Sequence, residues 1–489
     1  MPKNRKYPTL YVKNFAKIKE AEIELAPFTL FIGDNNSGKS YLASLIWYIQ
    51  NSDFFKYFDD YKEFTLLNKL SANILDNEIF ETIISNDLLS EIINGINNIL
   101  EKNKNKILLE LFNYNKINLD KLYISKCDAN FNIKITTNIK SKTYYDGNIK
   151  KDIYNLDIFY YLDNKKISEL TNLEIENIDN INSINIKEML SILFNSNALF
   201  LPVSRTGFIL LKDLIYNRGV NSLINSLDLK HLTLTLPVKS YLSKLTGIKL
   251  LKKIMVIRNK DIVSFIEKNI LHGNIQLVDI PSLPIFNYRP LYNIYNNSFY
   301  STFGSLINND NRNLYSNYEL LYKSNNSDMD FQMHVSSAVV TELTPLILFL
   351  KYYGNYKNII MEEPEISLHP YLQQQLTRAF IKLVNSGKNV LITTHSDTIV
   401  QHINNMIKLN ANEKKRQKKL MEKYKYDEDD IISEDKIRMY QFDAKEDGTE
   451  VKPLESSKYG FETPTFHNYL IKISDEFDSF IENIDNSDE

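Results

Sequence analysis

Alternation of apolar and polar positions marks the first 32 residues as β-structure. TLYVKNF and EAEIEL alternate residue by residue, and PFTLFI is a short apolar run that stops at a glycine. Alternation is typical of a strand with one buried face, and a continuous apolar run is typical of a strand buried on both faces. From Ser40 the segment SYLASLIWYIQ has helical character. The pattern therefore predicts strands, a glycine loop and a helix, in that order.

The last third of the chain alternates strands and helices. The strand-like stretches YELLYK and DFQMHV precede a helix expected from about Ser336. The apolar strand NIIMEE, a helix from Tyr371 and the apolar strand NVLITTHS follow. Such alternation predicts an α/β fold with parallel strands. One more apolar strand, ALFLPVSRTGF, starts near Ala198.

Two long segments interrupt this pattern and read as mainly helical or mixed insertions. The first has a helical pattern around Asp87 to Phe112 and alternating stretches such as FNIKITTNIK, and the second is helical and irregular. The expected division is an α/β core in three parts with two insertions and a C-terminal extension: core 1–50, insertion 51–195, core strand 196–206, insertion 207–331, core 332–410 and extension 411–489.

Composition narrows the class of protein without identifying a chemistry. The 489 residues are 43% hydrophobic and 24% charged with a net charge of -3, which is typical of a globular chain and gives no overall attraction to polyanions. Cys127 is the only cysteine, which fits a reducing cytoplasm. No apolar stretch reaches the roughly 18 residues of a membrane span, and the N-terminus lacks the apolar segment of a signal peptide. We expect a cytoplasmic protein with no membrane contact.

A phosphate-binding loop is the clearest motif in the chain. The segment Gly33–Ser40, GDNNSGKS, fits G-x-x-x-x-G-K-[ST] and lies between an apolar strand and a helix, a context that an ordinary glycine turn does not require. Backbone N–H groups and the helix N-terminus would face phosphate oxygens, Lys39 would lie between the β- and γ-phosphates, and the Ser40 hydroxyl would ligate Mg²⁺. The cofactors expected are ATP and Mg²⁺. The nucleotide-binding candidates are Gly33, Asn35, Asn36, Ser37, Gly38, Lys39, Ser40 and Tyr41.

Two later strand ends supply the remaining groups of a nucleotide hydrolase. NIIMEE ends in Glu362 and Glu363, which we assign to Mg²⁺ and to the attacking water respectively. Adjacent side chains on a strand face opposite ways, so the chain must turn there if both serve one site. NVLITTHS ends near His395, a candidate for contact with the γ-phosphate and the attacking water. A histidine at a strand end is also a common structural residue, and its position one unit after Glu363 favours the functional role.

Taken together, these segments resemble the ABC-type ATPases of the RecF/SMC/OLD group, among them prokaryotic AAA-family ATPases often encoded in phage-defence modules. The resemblance implies an ABC-type P-loop core with a mixed sheet. It also implies that Asn14 and Phe15 lie near the adenine and that Ser367 to Pro370 form the D-loop. It covers residues 1–50, 196–206 and 332–410.

The sequence departs from this group at two motifs. The group binds the γ-phosphate of a partner subunit through an L-S-G-G-[QE] signature, whereas this chain has Val335-Ser336-Ser337-Ala338-Val339. Ser336 or Ser337 could supply the hydroxyl, which implies a homodimer or higher homo-oligomer with shared ATP sites. A plain serine N-cap is the alternative. No glutamine marks the Q-loop, and Ser204 and Arg205 are its candidates, with a structural ion pair as the other role of Arg205.

Two runs of basic residues do not decide which partner the chain binds. Leu229 to Lys260 contains eight positive charges and no acidic residue, and Lys414 to Lys425 is a second basic run. Either could contact DNA or RNA, although such runs are usually solvated helix faces. The acidic stretch Asp427 to Asp430 is interpreted as solvated surface. We expect a nucleotide-gated dimerising switch that senses a trigger or controls an effector protein in antiviral defence. The alternatives are a RecF/SMC-like DNA-maintenance ATPase and an OLD-like ATPase with nuclease activity.

Overall fold

A computed structural model describes most of the chain: residues 7–51, 65–76, 79–125, 133–146, 149–162, 165–175, 184, 197–217, 234–251, 259–280, 317–327, 329–353, 356–463 and 471–480. Cys127 lies outside the described residues, as do Lys230, Lys252, Lys253 and Arg258 of the first basic run. No helix in the described part of the chain is long and apolar enough to cross a membrane.

The described strands follow the order of the sequence. They are β1 Thr9–Phe15, β2 Ile18–Glu24, β3 Phe28–Gly33, β4 Ile79–Ile83, β5 Lys121–Ser125, β6 Ile133–Asp146, β7 Ile149–Leu162, β8 Lys165–Ile175, β9 Ala198–Leu201, β10 Gly273–Ile280, β11 Asn317–Ser324, β12 Asp330–Gln332, β13 Asn358–Glu362, β14 Asn389–Thr394, β15 Ile437–Lys445, β16 Gly448–Pro453, β17 Ser456–Ser457 and β18 Gly460–Phe461.

The described helices alternate with these strands in the core segments. They are α1 Lys39–Gln50, α2 Thr65–Asp76, α3 Asn86–Phe112, α4 Arg205–Asn217, α5 Leu236–Leu251, α6 Lys260–Ile266, α7 Ala338–Tyr352, α8 Pro370–Asn385, α9 Asp397–Asn410, α10 Lys414–Tyr424 and α11 471–480.

A nine-stranded mixed sheet carries the core, with strand order β5-β1-β2-β16-β15-β3-β14-β13-β9. Strand β3 is parallel to both of its neighbours, β14 and β15, and β13 is parallel to β14 and β9. The β1–β2 pair is antiparallel. The carboxyl ends of the parallel strands therefore meet at one edge, where ligands of open α/β sheets bind. This confirms the expected α/β class with a mixed sheet.

The C-terminal segment contributes two strands that the sequence did not predict as part of the core. Strand β15 pairs with β3 so that Phe442 lies opposite Gly33, and β16 connects β15 to β2. The stretch 411–489, expected as an extension, thus completes the sheet between the N-terminal hairpin and the loop-bearing strand.

Helix α1 packs on the sheet through nearly every side chain. Leu42, Leu45 and Ile46 are buried, the helix contacts β9, β13 and β14, and the Trp47 indole N–H donates to the Ala198 carbonyl at 3.1 Å. Each such apolar side chain contributes about 1.5–3 kcal/mol by burial. The helix that follows the loop is therefore fixed to the parallel strands that end beside it.

The described part of the first insertion contains a long helix and an antiparallel sheet. Helix α3 begins where the Ser85 side chain accepts the Leu88 N–H at 3.1 Å, and Asp87 in the first turn suits the positive end of the helix dipole. Strands β4, β6, β7 and β8 form a four-stranded sheet. The predicted helix around Asp87 to Phe112 and the predicted strands in FNIKITTNIK are both present.

The chain divides into two compact units, residues 1–204, 216–245 and 355–489 in the first and residues 205–215 and 246–354 in the second. The second unit contains the sheet β10-β11-β12, helix α6 with a π-helical turn at Glu267–Leu271, and α7. Lys351 on α7 binds Glu267 at 2.7 Å. The helix that was expected to lead the last core segment thus belongs to the compact unit of the second insertion.

The acidic stretch after α10 is only partly solvated. Asp427 is exposed, but Asp430 is completely buried and accepts a 2.6 Å hydrogen bond from Arg378 on α8. Lys382 lies 3.2 Å from the same carboxylate. These cations hold the pKa of Asp430 below its usual value despite burial. The interpretation of this stretch as surface was therefore wrong for Asp430, because an arginine distant in sequence compensates its charge.

Candidate functional site

The glycine loop lies between the end of β3 and the start of α1. Gly33 has φ 124°, and a Cβ added there would lie 2.2 Å from the Phe442 carbonyl oxygen of β15. Gly38 has φ 94° and forms the N-cap of α1. The Ser37 hydroxyl donates to the Asp34 carbonyl at 2.7 Å and closes the turn. Both glycines are required by backbone conformation, and Gly33 also by the close approach of β15.

Lys39 turns its ammonium back onto the loop. Its Nζ donates to the carbonyl of Asp34 at 2.5 Å and to that of Gly33 at 3.0 Å, and the residue is 5% exposed. Burial lowers the pKa of Lys39 to about 8, against the opposing influence of the nearby Glu363, Asp34 and Glu365 carboxylates. An anion bound to the backbone amides of the loop would stabilise the charged form of this buried ammonium.

The first turn of α1 exposes the next two candidates. Ser40 is exposed at the helix N-terminus, where no acidic side chain occupies the first turn. Tyr41 is 40% exposed, and its ring lies 5.0 Å from that of Phe112 and 6.4 Å from that of Phe15. Ser40 is therefore accessible to a bound ion. Tyr41 belongs to an aromatic cluster beside the loop.

The acidic pair ends β13 at the same edge of the sheet. Glu362 is 7% exposed, and its Oε2 accepts the Val203 N–H at 3.3 Å. Glu363 has φ 41°, which turns the chain, and its N–H donates to the Thr393 carbonyl at 2.8 Å. The turn that two adjacent carboxylates need in order to serve one site is therefore present, held by the neighbouring strand β14.

His395 lies next to Glu363 and the loop. Its Nε2 is 3.7 Å from the Glu363 Oε1, and its side chain is 30% exposed. Burial and the Lys39 charge lower the pKa of His395, although Glu363, Asp34 and the Gly33 backbone oppose the shift. The shift favours the neutral form of the imidazole, which has one hydrogen-bond donor and one acceptor. The structure brings together Lys39, Glu363 and His395 from three segments of the chain.

Sequence reasoning missed one carboxylate in this cluster. Glu365 accepts the His395 N–H at 2.6 Å, and burial raises its pKa, partly offset by this hydrogen bond. It fixes the backbone at the end of β14 and thereby the position of the imidazole. The only sequence signal was a third acid in EEPE, which alone does not distinguish it from the two acids before it.

A cavity of about 640 Å³ lies beside the loop. Its wall includes Asn35 and Asn36 of the loop, Asn14 of the β1–β2 hairpin and residues 444–449 of the β15–β16 hairpin. Asn14 has φ 50° and binds the Asp120 carboxylate through its amide. The cavity is where a group attached to a loop-bound phosphate would lie. Phe15, in contrast, is completely buried and takes part in the core.

The two candidates for the missing Q-loop glutamine, Ser204 and Arg205, lie at the start of α4. Arg205 begins α4, is completely buried, and pairs with Glu342 at 3.1 Å. The structure thus shows the ion pair that was one of its two expected roles. Ser204, the other candidate for the missing glutamine, is the last residue of the segment 1–204 of the first unit and precedes α4 directly.

The predicted helix start near Ser336 lies two residues too early. Helix α7 begins at Ala338 with Ser337 as N-cap, and the Ser336 hydroxyl donates to the Gln332 carbonyl at 3.0 Å. Ser337 is exposed and makes no capping hydrogen bond through its side chain. Of the two serines, Ser337 is therefore the one whose hydroxyl faces outward at the N-terminus of a 15-residue helix.

The residues fit a magnesium ion held jointly with a phosphate. Within the described ranges no group of three or more His, Cys, Asp or Glu side chains could hold a metal ion alone. Mg²⁺ at nucleotide sites is held by one or two protein oxygens plus phosphates. The exposed Ser40 hydroxyl and the Glu362 carboxylate at the edge of the sheet are of that kind.

Comparison with known proteins identifies a family. The family model described as "AAA ATPase domain" matches residues 8–400 of the chain. No curated protein matches it.

Several solved structures of SMC head domains also match. A SmcHead bound to the C-winged helix domain of ScpA is 11% identical with a TM-score of 0.36, over 92% of this chain and 98% of that chain. The head domain from Thermotoga maritima is 10% identical with a TM-score of 0.31, over 91% and 98%. An Smc head bound to the C-terminal domain of ScpA derived from Pyrococcus furiosus is 10% identical with a TM-score of 0.34, over 96% and 99%.

Proposed function

The chain belongs to the AAA ATPase domain family, and on this premise we propose that it is a Mg²⁺-dependent ATPase of the cytoplasm that closes as a homodimer on ATP. The observation that carries the proposal is the meeting of Lys39, Glu363 and His395 beside the glycine loop, with Glu363 and His395 3.7 Å apart. An ammonium, a carboxylate and a neutral imidazole around an anion-binding loop are the groups that phosphoryl transfer to water requires.

Each residue has a distinct task in this proposal. The loop amides and Lys39 bind the β- and γ-phosphates, and the Lys39 ammonium exchanges the carbonyls of Gly33 and Asp34 for phosphate oxygens. Ser40 and Glu362 hold Mg²⁺, which when bound neutralises charge on the phosphate oxygens. Glu363 orients the attacking water and accepts its proton, and His395 donates a hydrogen bond towards the γ-phosphate.

The base and ribose occupy the cavity beside the loop. Asn14 is placed there by its left-handed backbone and by Asp120, and the β15–β16 hairpin closes the opposite wall. This assigns the nucleoside a pocket with polar and charged walls, in which hydrogen bonds rather than an aromatic stack orient it.

The dimer follows from the N-terminus of α7. The Ser337 hydroxyl faces outward and is not used as a cap, and no acidic side chain lies in the first turn of the helix. In a head-to-tail pair this hydroxyl and the helix dipole would meet the γ-phosphate bound by the other copy. We place Ser337 there in preference to Ser336, whose hydroxyl is bonded to Gln332.

The output of this switch is proposed to be a protein effector, in the setting of antiviral defence. The alternative of direct binding to nucleic acid through 230–260 concerns residues of which 234–251 and 259–260 are described. In that part Lys239 is exposed, and Lys244 lies over the Tyr356 ring at 5.0 Å. Capture of a co-encoded protein only in the presence of ATP would support the effector.

Phosphate release by the purified chain tests the enzymatic part. We expect Mg²⁺-dependent hydrolysis that falls at least about 100-fold in Glu363→Gln and in Lys39→Ala. Only Glu363→Gln should retain ATP binding, because Lys39 contacts the phosphates directly. Lys408→Ala, on an exposed turn of α9 remote from the loop in sequence, is the matched lysine control and should hydrolyse ATP normally. Equal rates in all four proteins would reject the site.

A further inference from the structure

The C-terminal helix α11 presents an uncovered apolar face. All ten of its residues are exposed, although most helices of the described chain bury at least one face. Ile473, Phe477 and Phe480 are 45%, 62% and 61% exposed. Their spacing of four and three residues places them on one side of the helix. An apolar stripe of this kind is typical of a helix that docks on a partner surface.

The same segment is strongly acidic. Residues 471–489 contain seven acidic residues and a single basic one, Lys472, a net charge of -6. In α11 itself, Asp475, Glu476 and Asp478 lie off the apolar stripe. The partner surface must therefore provide positive charge around an apolar contact.

Helix α10 has that composition. It is attached to α9 by one edge, where Gln417 and Met421 are buried and the Gln417 amide donates to the Leu409 carbonyl at 3.1 Å. Residues 413–425 contain seven cations and two acids, a net charge of +5, and all seven cations are exposed: Lys414, Lys415, Arg416, Lys418, Lys419, Lys423 and Lys425.

An apolar contact lies among these cations. Tyr424 is 56% exposed, with the Lys423 ammonium 5.0 Å from its ring and the Tyr426 ring 6.4 Å away. An aromatic side chain such as Phe477 or Phe480 could pack on Tyr424 while carboxylates meet the surrounding ammonium groups. Nucleic acid would use the cations of α10 but would leave the apolar stripe of α11 uncovered, so the observations favour the acidic segment as the occupant.

We propose that the acidic segment 471–489 of one copy docks on the cationic helix α10 of a second copy. The docking is assigned to a second copy because α11 does not cover its apolar face on its own chain. Helices α11 and α10 belong to the same compact unit, and α11 is nevertheless exposed along its whole length. Reciprocal docking of two such segments closes a symmetric dimer. This contact requires no nucleotide and is independent of the ATP site, so each proposal can fail without the other.

Charge reversal of the full chain tests the contact without nucleotide. The tail-reversed variant carries Asp475→Lys, Glu476→Lys and Asp478→Lys. The helix-reversed variant carries Lys415→Glu, Lys419→Glu and Lys423→Glu, which face away from Gln417 and Met421. A matched control reverses three exposed lysines elsewhere: Lys106→Glu, Lys116→Glu and Lys121→Glu. All substitutions are at exposed positions, and circular dichroism checks that each variant is folded.

Sedimentation velocity over a concentration series gives the readout. We expect wild type and control to associate, with weakening as salt screens the charges. Each reversed variant alone should associate about tenfold or more weakly, since three pairs of opposite charge become repulsive. An equimolar mixture of the two variants should recover association, because in the mixed dimer the reversed segment faces the reversed helix and the unreversed segment faces the unreversed helix.

Three results would overturn the proposal. Association of either reversed variant at the wild-type level would show that these charges do not form the contact. Absence of recovery in the mixture would place the docking within one chain. Loss of double-stranded DNA binding in the helix-reversed variant, with self-association unchanged in both variants, would assign α10 to nucleic acid instead.

Discussion

ATP binding should be linked to protonation of Lys39. Burial lowers the pKa of this ammonium from its usual value of about 10.5 to about 8. Bound phosphates supply negative charge at the ammonium and raise this pKa again. Protein with neutral Lys39 must therefore take up a proton on binding, and the affinity must fall as the pH rises above 8.

The size of the effect follows from the fraction of protein with charged Lys39. This fraction is nearly complete at pH 7 and about one half at pH 8. At pH 9 it is about one tenth, so the apparent Kd should be about tenfold weaker than at pH 7, a loss of about 1.4 kcal/mol. The affinity falls as the pH rises, because ATP binding requires the charged form of Lys39 and a higher pH depletes that form.

Isothermal titration of the wild-type chain with a non-hydrolysable ATP analogue and Mg²⁺ measures this without turnover, and it keeps the Glu363 charge that acts on Lys39. Titrations from pH 7.5 to 9.5 in buffers of different ionisation enthalpy give the affinity and the number of protons taken up. Near pH 8 the uptake should be about half a proton. Lys39→Arg carries a charge that is not lost in this range, so any binding that it retains should be independent of pH. If the affinity of the protein with Lys39 does not change between pH 7.5 and 9.5, the proposed link between burial of Lys39 and ATP binding is refuted.

Three further substitutions test local packing and burial. Gly33→Ala should abolish ATP binding and destabilise the fold by about 3 kcal/mol or more, because the new Cβ meets the Phe442 carbonyl at 2.2 Å. Gly207→Ala, with open space around it in α4, should be neutral or stabilising by up to about 1 kcal/mol in urea unfolding. Burial and the Arg378 charge lower the pKa of His402 to about 4, with Asp430 opposing. Because the unfolded state binds more protons between pH 6.5 and 4, wild type should lose about 2 kcal/mol from pH 7 to pH 5, and His402→Phe should lose that much less; equal losses would contradict this assignment.

Local patterns predicted the elements that carry the site. The strand before the loop, the helix after it and the strands that end at Glu362 and near His395 each occupy a continuous segment with a clear period. The meeting of these segments was predictable because carboxyl ends of parallel strands share one edge of a sheet. Distances such as the 3.7 Å between Glu363 and His395 depend on the turn at Glu363, which the sequence does not specify.

Contacts between distant segments were not predictable from local pattern. Strand β15 contains the strand-like stretch IRMYQFD, but nothing in that stretch indicates that it pairs with β3 and requires the glycine at position 33. The same holds for Asp430, whose partner Arg378 lies on another helix. Glu365 was missed for a related reason: the hydrogen bond that its carboxylate accepts from the His395 N–H depends on backbone turns rather than on residue type.

The central claim is that ATP closes the chain into a dimer and that Glu363 is needed to reopen it. Sedimentation velocity of the tail-reversed Glu363→Gln protein, which removes the proposed nucleotide-independent contact, measures this directly in ATP, in ADP and without nucleotide. We expect a dimer with one ATP retained per chain only in ATP and Mg²⁺, and its loss on adding Ser337→Ala. A monomer in all three conditions, with ATP bound, would contradict the account.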